Sequence, residues 1–169
     1  MKFSKNLIPK IFLIFISSHI FINIPKVESA ENIKIIYSVF SRTVSVDSLK
    51  NFVSNGNSST TLRRILNATG SSDDEIKSVL NKDFEIPITI ASKLVYSEIG
   101  NIFLTRLSSI LHTPRANDER TGMLAHRSSV IQGLYQGNGK INLIKFFENY
   151  PTKTVISVSY THLTLPTKA

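Results

Sequence analysis

The chain of 169 residues has the length of one globular domain, and its 41% hydrophobic and 19% charged residues are ordinary for that class. It contains no cysteine, which excludes disulfides and a lipid-anchored lipoprotein. The formal net charge of +8 suggests a nucleic-acid or membrane partner, but residues 1–30 carry +3 of it and residues 157–169 carry +1. The remaining +4 is scattered, so residues 31–156 are predicted to have a solvated surface and to bind no nucleic acid.

The first thirty residues have the layout of a secretory signal peptide. Three lysines precede an apolar run over residues 11–24, and Pro25 ends that run. Ser29 and Ala30 are small, and cleavage is expected after one or the other. The apolar run is shorter than the roughly 20 residues of a spanning helix, which favours a cleaved leader over an uncleaved membrane anchor. The sequence therefore predicts an exported protein, periplasmic or secreted.

The domain after the leader is predicted to begin with a hairpin and two short helices. Residues 33–46 are rich in β-branched and aromatic residues and indicate the hairpin. Asp47 or Ser48 is expected to cap the first helix, and Ser58 or Ser59 the second. A glycine follows each of these helices and is expected to end it.

A capping box predicts the start of the third helix. Ser72 and Glu75 form the S-x-x-E pattern, and Asp73 and Asp74 lie in the first turn, where the helix dipole favours negative charge. A metal site is the alternative for these acidic residues. It lacks a nearby histidine and a fourth oxygen ligand, so the capping interpretation is favoured.

The most apolar segment, residues 84–114, predicts two helices that meet at Ser97. Ile90, Leu94 and Val95 suit the first helix, which is short. The second ends before Pro114, because the residue before a proline avoids the helical region. The second helix is expected to bury an apolar face formed by Ile99, Ile102, Phe103, Leu107, Ile110 and Leu111.

The end of the domain predicts two more helices and a strand. Residues 123–134 suit a helix, residues 136–140 a turn, and residues 143–147 a short helix that ends near Pro151. Residues 152–157 begin a strand, which is expected to pair with the first hairpin and bring the two ends of the domain together. The predicted fold class is mainly α, a compact bundle of five or six short helices. A small antiparallel β hairpin or sheet joins its N- and C-terminal strands.

Few residues of this domain suit catalysis. His112 is expected to donate to free carbonyls at a helix C-terminus, and His126 to lie on the polar face of a helix. No serine occurs in a G-x-S-x-G motif, and no His-x-x-x-His spacing offers a pair of metal ligands. We therefore predict no catalytic, cofactor-binding or metal-ligating residue and no cofactor.

Five segments carry a resemblance to a known family. In chain order they read "RTVSVDSLKNFVSNG", "LRRILN", "DDEIKSVLNKDFEIPI", "SEIGNIFLTRLSSILHTP" and "GKINLIKFFENYPTKTV". Together they resemble a cyanobacterial domain of unknown function, number 1400, over nearly all of the domain. That family typically precedes an α/β-hydrolase domain in exported proteins and also occurs alone. The resemblance implies a helical, exported module that carries a hydrolase label through its neighbour and has no catalytic residues of its own.

Residues 157–169 are predicted to be foreign to the domain. The stretch "VSYTHLTLPT" can be back-translated into DNA that resembles a transposase mosaic end followed by a sequencing adapter. A genuine terminal strand is the alternative, supported by a weak alternation of apolar residues. The expected organisation is a signal peptide at 1–30, a helical domain at 31–156 and a non-native tail at 157–169, in a gene truncated after Ile156.

Two functions from different classes remain open. The first is an exported, non-catalytic accessory or interaction module whose partner is a protein or a neighbouring hydrolase domain. The second is the N-terminal domain of an α/β hydrolase whose catalytic domain is missing from this chain. A membrane is expected as a partner only through an uncleaved leader.

Overall fold

The structure is a computed structural model that describes residues 29–37, 40–70, 72–114 and 118–159. Most of the predicted leader and of the predicted tail lies outside these residues. The described helices are α1 Val46–Asn55, α2 Thr60–Thr69, α3 Asp73–Asn81, α4 Ile88–Val95, α5 Glu98–Ile110, α6 Glu119–Gln136 and α7 Leu143–Glu148. The described strands are β1 Asn32–Tyr37, β2 Phe40–Ser45, β3 Phe84–Glu85, β4 Leu111–His112, β5 Lys140–Ile141 and β6 Thr154–Ser159. The mainly α fold class is confirmed, with seven described helices instead of five or six.

The larger sheet has four strands in the order β2-β1-β6-β4. The predicted hairpin is β1–β2, an antiparallel pair in which Ile33 lies opposite Val44. The last strand pairs with this hairpin as predicted, but β6 runs parallel to β1, with Ile33 opposite Val155. The parallel direction arises because β6 starts beside the start of β1, where the carbonyl of Lys153 accepts hydrogen bonds from the amides of Glu31 (3.0 Å) and Asn32 (3.1 Å).

Strand β6 crosses the expected domain boundary. It continues through residues 157–159, which pair with residues 35–37 of β1. The ladder is made by backbone groups, so a strand can continue through side chains of any origin that tolerate extended backbone. The boundary at Ile156 therefore stays a prediction.

The helix starts follow the local capping chemistry. The predicted capping box is present, with Ser72 accepting from the Glu75 amide at 3.3 Å and Glu75 accepting from the Ser72 amide at 2.9 Å. Ser59 and Ser97 cap α2 and α5. The expected cap of α1, Asp47 or Ser48, is wrong: Ser45 caps it and accepts from the Ser48 amide at 3.1 Å. The reason is that β2 leads into α1 without a loop, so the last residue of β2, Ser45, has the extended backbone of an N-cap.

The hydrophobic core lies between one face of the larger sheet and helices α1, α6 and α7. Its fully buried side chains include Phe52, Leu134, Tyr150 and Val155. Ile33 and Val44 extend it from the sheet, where the two residues face each other across the hairpin. This core holds α6 at the centre of the domain. Helices α4 and α5 pack on α6, and α5 also contacts strands β4 and β6 of the larger sheet.

Candidate functional site

Helices α5 and α6 meet through a seam made largely of small side chains. The buried residues of α5 are Gly100, Leu104 and Ser108, which lie four residues apart and therefore share one face. Gly122 of α6 lies opposite, where a Cβ atom would be 2.7 Å from the Oγ of Ser108. The Ser108 hydroxyl donates to the carbonyl of Leu104 at 2.8 Å, so it needs no partner across the seam. A Cβ atom on Gly100 would instead meet the carbonyl of Leu94, so this glycine faces the end of α4. The close approach of α5 and α6 at Gly122 leaves no room there for a larger side chain.

The large apolar residues of α5 instead face solvent. The predicted buried face was wrong in this respect, because four of its six members are exposed and Leu107 and Leu111 are only half-buried. The four are Ile99 at 75%, Phe103 at 64%, and Ile102 and Ile110 at 51% each. Their spacing places them roughly opposite the seam. The helical pattern identified an apolar face correctly, but the buried side of α5 is the one with Leu104 and Ser108, and Ser108 contacts Gly122 of α6.

Helix α4, which contacts α5, also exposes apolar side chains. It buries Ala91 and Val95, whereas Ile90 and Leu94 are exposed on its other side. We call the exposed apolar side chains of the two helices the α4–α5 apolar face: Ile90, Leu94, Ile99, Ile102, Phe103 and Ile110. The exposed Arg106 shares the outward side of α5. Exposed apolar side chains grouped in this way are typical of a surface that binds another protein.

His126 lies in the core, so its expected place on a polar face was wrong. The residue is 0% exposed, with its ring 5.5 Å from that of Tyr150 and 6.0 Å from that of Phe146. Neither ring nitrogen has a hydrogen-bond partner among the described residues, and the same is true of the Tyr150 hydroxyl. Burial lowers the pKa of His126 to about 4, although the nearby backbone of Leu111 favours the proton slightly. Burial also raises the pKa of Tyr150. His126 is therefore a neutral core side chain.

His112 does not cap a helix, contrary to the prediction. It belongs to β4, where it pairs with Ile156 of β6, and its Nδ1 lies 3.1 Å from the carbonyl of Thr113. The buried hydroxyl of Ser129 donates to the carbonyl of Ala125 at 3.0 Å. Within the described residues, no serine hydroxyl forms a hydrogen bond with either histidine. Neither histidine is placed there as the base for a serine nucleophile.

The acidic residues at the start of α3 serve the helix. Asp73, Asp74 and Glu75 occupy its first turn, and Asp74 lies 4.0 Å from the Nζ of Lys77. In the part of the chain that the structure describes, no three histidine or acidic side chains are grouped to hold a metal ion. That part also contains no helix with the length and apolar character needed to cross a membrane.

The fold and its exposed face define a mainly α domain with a candidate protein-binding surface. The chain belongs to the family described as alpha/beta hydrolase of unknown function, the domain of unknown function 1400, whose match covers residues 29–156. The family resemblance seen in the sequence is thereby confirmed. No curated protein and no solved structure matches the chain significantly. The hydrolase in the family description contrasts with the mainly helical fold of the matched region.

Proposed function

We propose that this chain is an exported, non-catalytic interaction module that docks on an α/β-hydrolase domain. The observation that carries the proposal is the α4–α5 apolar face. Gly100, Leu104 and Ser108 form the buried side of α5, so the large apolar side chains on its other side remain available to a partner. The family description supports a hydrolase as that partner.

The chemistry of the partner surface follows from the face. Covering Ile99, Phe103 and Ile110 requires an apolar surface. Each of these side chains contributes free energy to binding only when its apolar surface is removed from water. Arg106 on the same side of α5 favours a carboxylate at the edge of that surface. The docked surface of the hydrolase domain is therefore expected to be apolar with an acidic residue at its rim.

The second form of the proposal places the hydrolase domain in the same polypeptide. The family description favours this form, since it gives the hydrolase name to the family that matches this chain. The genomic sequence of the intact gene distinguishes the two forms. A strand followed by G-x-S-x-G downstream of Ile156 supports a linked domain. A stop codon soon after Ile156 supports a separate partner.

Photo-crosslinking in the natural host tests the docking. The full chain carries p-benzoylphenylalanine in place of Phe103 in one variant and in place of Phe84 in the matched control. Both phenylalanines are exposed, at 64% and 50%, but Phe84 lies on β3, outside the α4–α5 apolar face. We expect an adduct that contains an α/β-hydrolase domain at position 103 and none at position 84. Equal adducts at both positions, or an adduct without a hydrolase domain, would contradict the proposal.

An assay of the purified full chain tests the non-catalytic part. The proposal expects no turnover of chromogenic esters or phosphoesters above buffer, since His126 is buried and has no serine partner. The matched variants are His112→Ala and His126→Ala. Turnover that is lost in either variant would overturn this part of the proposal and leave the docking result unaffected.

A further inference from the structure

A depression of about 330 Å³ lies between α4 and α6. Arg127 lines it, although only 8% of this residue is exposed. The ring of Tyr96, just after α4, covers the guanidinium of Arg127. The Cζ atom of Arg127 lies 4.3 Å from the centroid of that ring. The depression shares no residue with the α4–α5 apolar face. It is therefore a separate site on the domain.

The charge of Arg127 has no acidic partner in the described part of the chain. Its Nε donates to the carbonyl of Val95 at 3.0 Å, and its Nη2 contacts the side chains of Asn101 and Met123. No carboxylate of the described residues lies within ion-pair distance of the guanidinium, and Nη1 has no hydrogen bond there. A buried cation is normally paired, because removing its hydration costs free energy that a counter-charge offsets. Arg127 is thus held in place on one side and unpaired on the other.

The remaining lining suits an amphipathic ligand. The side chains of Ser92, Ser128 and Gln132 line the depression, and none of them forms a hydrogen bond within the described residues. Leu124 and Ile131 supply apolar contacts on the α6 side. Apolar walls with a few convergent polar groups are the usual composition of a small-molecule site.

The geometry points to a binding site for a small organic carboxylate, with its charge at Arg127 and its apolar body between Tyr96 and Leu124. A carboxylate fits because one terminal guanidinium nitrogen, Nη1, is free, and the hydroxyls of Ser92 and Ser128 complete its hydrogen bonds. A phosphate dianion would need more positive charge than this single cation supplies.

Calorimetric titration of the full chain tests the site with benzoate, hexanoate, benzamide and inorganic phosphate. We expect saturable binding of at least one carboxylate at about 1 mM or below. Benzamide and phosphate are expected to bind about tenfold more weakly or not at all, because neither combines a single negative charge with an apolar body. The inference would be overturned if neither benzoate nor hexanoate bound. It would also be overturned if benzamide or phosphate bound as tightly as the carboxylates.

Three variants locate the binding. Arg127→Met removes the charge, and Ser128→Leu fills the depression while leaving the hydrogen bonds of Arg127 intact. Ser78→Leu, on the exposed surface of α3, is the matched control. We expect Arg127→Met and Ser128→Leu to weaken carboxylate binding about tenfold or more, and Ser78→Leu to leave it unchanged. If Arg127→Met fails to fold, Ser128→Leu still decides, and unchanged binding in that variant would place the carboxylate elsewhere.

Discussion

The imidazole of His126 is surrounded by aromatic rings and has no hydrogen bond among the described residues. Its pKa of about 4 in the folded chain lies below the ordinary value of 6.5, so the unfolded chain binds the proton first as the pH falls. The free energy of unfolding therefore decreases from about pH 6.5 down to about pH 4. The total loss from this residue is about 3 kcal/mol. Stability from the neutral histidine is fully present above pH 6.5.

His126→Phe tests this acid sensitivity. The ring of phenylalanine fits an aromatic site, and no hydrogen bond of the described residues is lost. We expect the unfolding free energy to rise by about 1 kcal/mol at pH 7, because two unsatisfied ring nitrogens are removed. The gain should grow as the pH falls toward 4. Urea unfolding at several pH values measures both effects.

His112→Gln is the control for that series, since it changes a histidine that is only half-buried. The titration of carboxylates is common to all three proteins and cancels in the differences. A gain for His126→Phe that does not change between pH 7 and pH 4 would show that His126 titrates normally in the folded chain.

The burial of His126 could not be predicted from the sequence, because it depends on contacts between different elements. The neighbouring Arg127 and Ser128 indicate a polar helix face, yet α6 is surrounded by other elements and buries residues on several sides. Phe146 and Tyr150, which contact the imidazole, lie in and just after the next helix, α7, and meet His126 only once the chain has folded back. The capping box at Ser72 was predictable because all its groups lie within four residues.

At the scale of the elements, the small residues of α5 decide which side of the helix is buried. Hydrophobic spacing marks the apolar face of a helix but not whether another element covers that face. Gly100 and Ser108 are a weaker signal than Phe103 or Ile110. The close approach at Gly122 nevertheless places Ser108 at the contact with α6, whereas Gly100 allows the close approach of the end of α4. The helix itself could be predicted from the sequence, and its orientation could not.

Substitutions at two adjacent residues of α5 test which side of this helix is buried. Leu104→Ala should lower the unfolding free energy by about 2–5 kcal/mol, because it empties a buried site at 3% exposure. Phe103→Ala should change it by about 0.5 kcal/mol or less, because that ring is in solvent. Urea unfolding of both variants is the measurement. A larger loss for Phe103→Ala than for Leu104→Ala would mean that α5 is turned the other way.

The seam predicts a coupling between Ser108 and Gly122. Gly122→Ala should destabilise the chain by about 1–3 kcal/mol, because the new Cβ meets the Oγ of Ser108. Ser108→Gly in the same chain should recover part of that loss, which a double-mutant cycle detects. Ser109→Gly, on the exposed side of α5, is the control for the helix propensity of glycine. Strict additivity of Ser108→Gly and Gly122→Ala would rule out the contact.

At the scale of the whole molecule, the start of the domain is part of its core. Ala30 is buried at 5% exposure, and the carbonyl of Glu31 accepts from the Val46 amide at 2.9 Å. Cleavage of the predicted leader after Ser29 keeps Ala30 in place, whereas cleavage after Ala30 removes it. We therefore expect mass spectrometry of the protein from its natural host to find Ala30 as the first residue. An intact Met1 would contradict export with cleavage.

Because β1 and β6 run parallel, the chain enters β1 at one end of the sheet and leaves β6 at the opposite end. Residue 32 starts β1 beside residue 154, whereas residue 159 ends β6 beside residue 37. Six residues of strand separate these two places by about 20 Å. A segment joined before β1 and a segment joined after β6 are thus held apart by the length of the sheet. The domain therefore spaces its two attachment points, and the fold brings neither attached segment against the other.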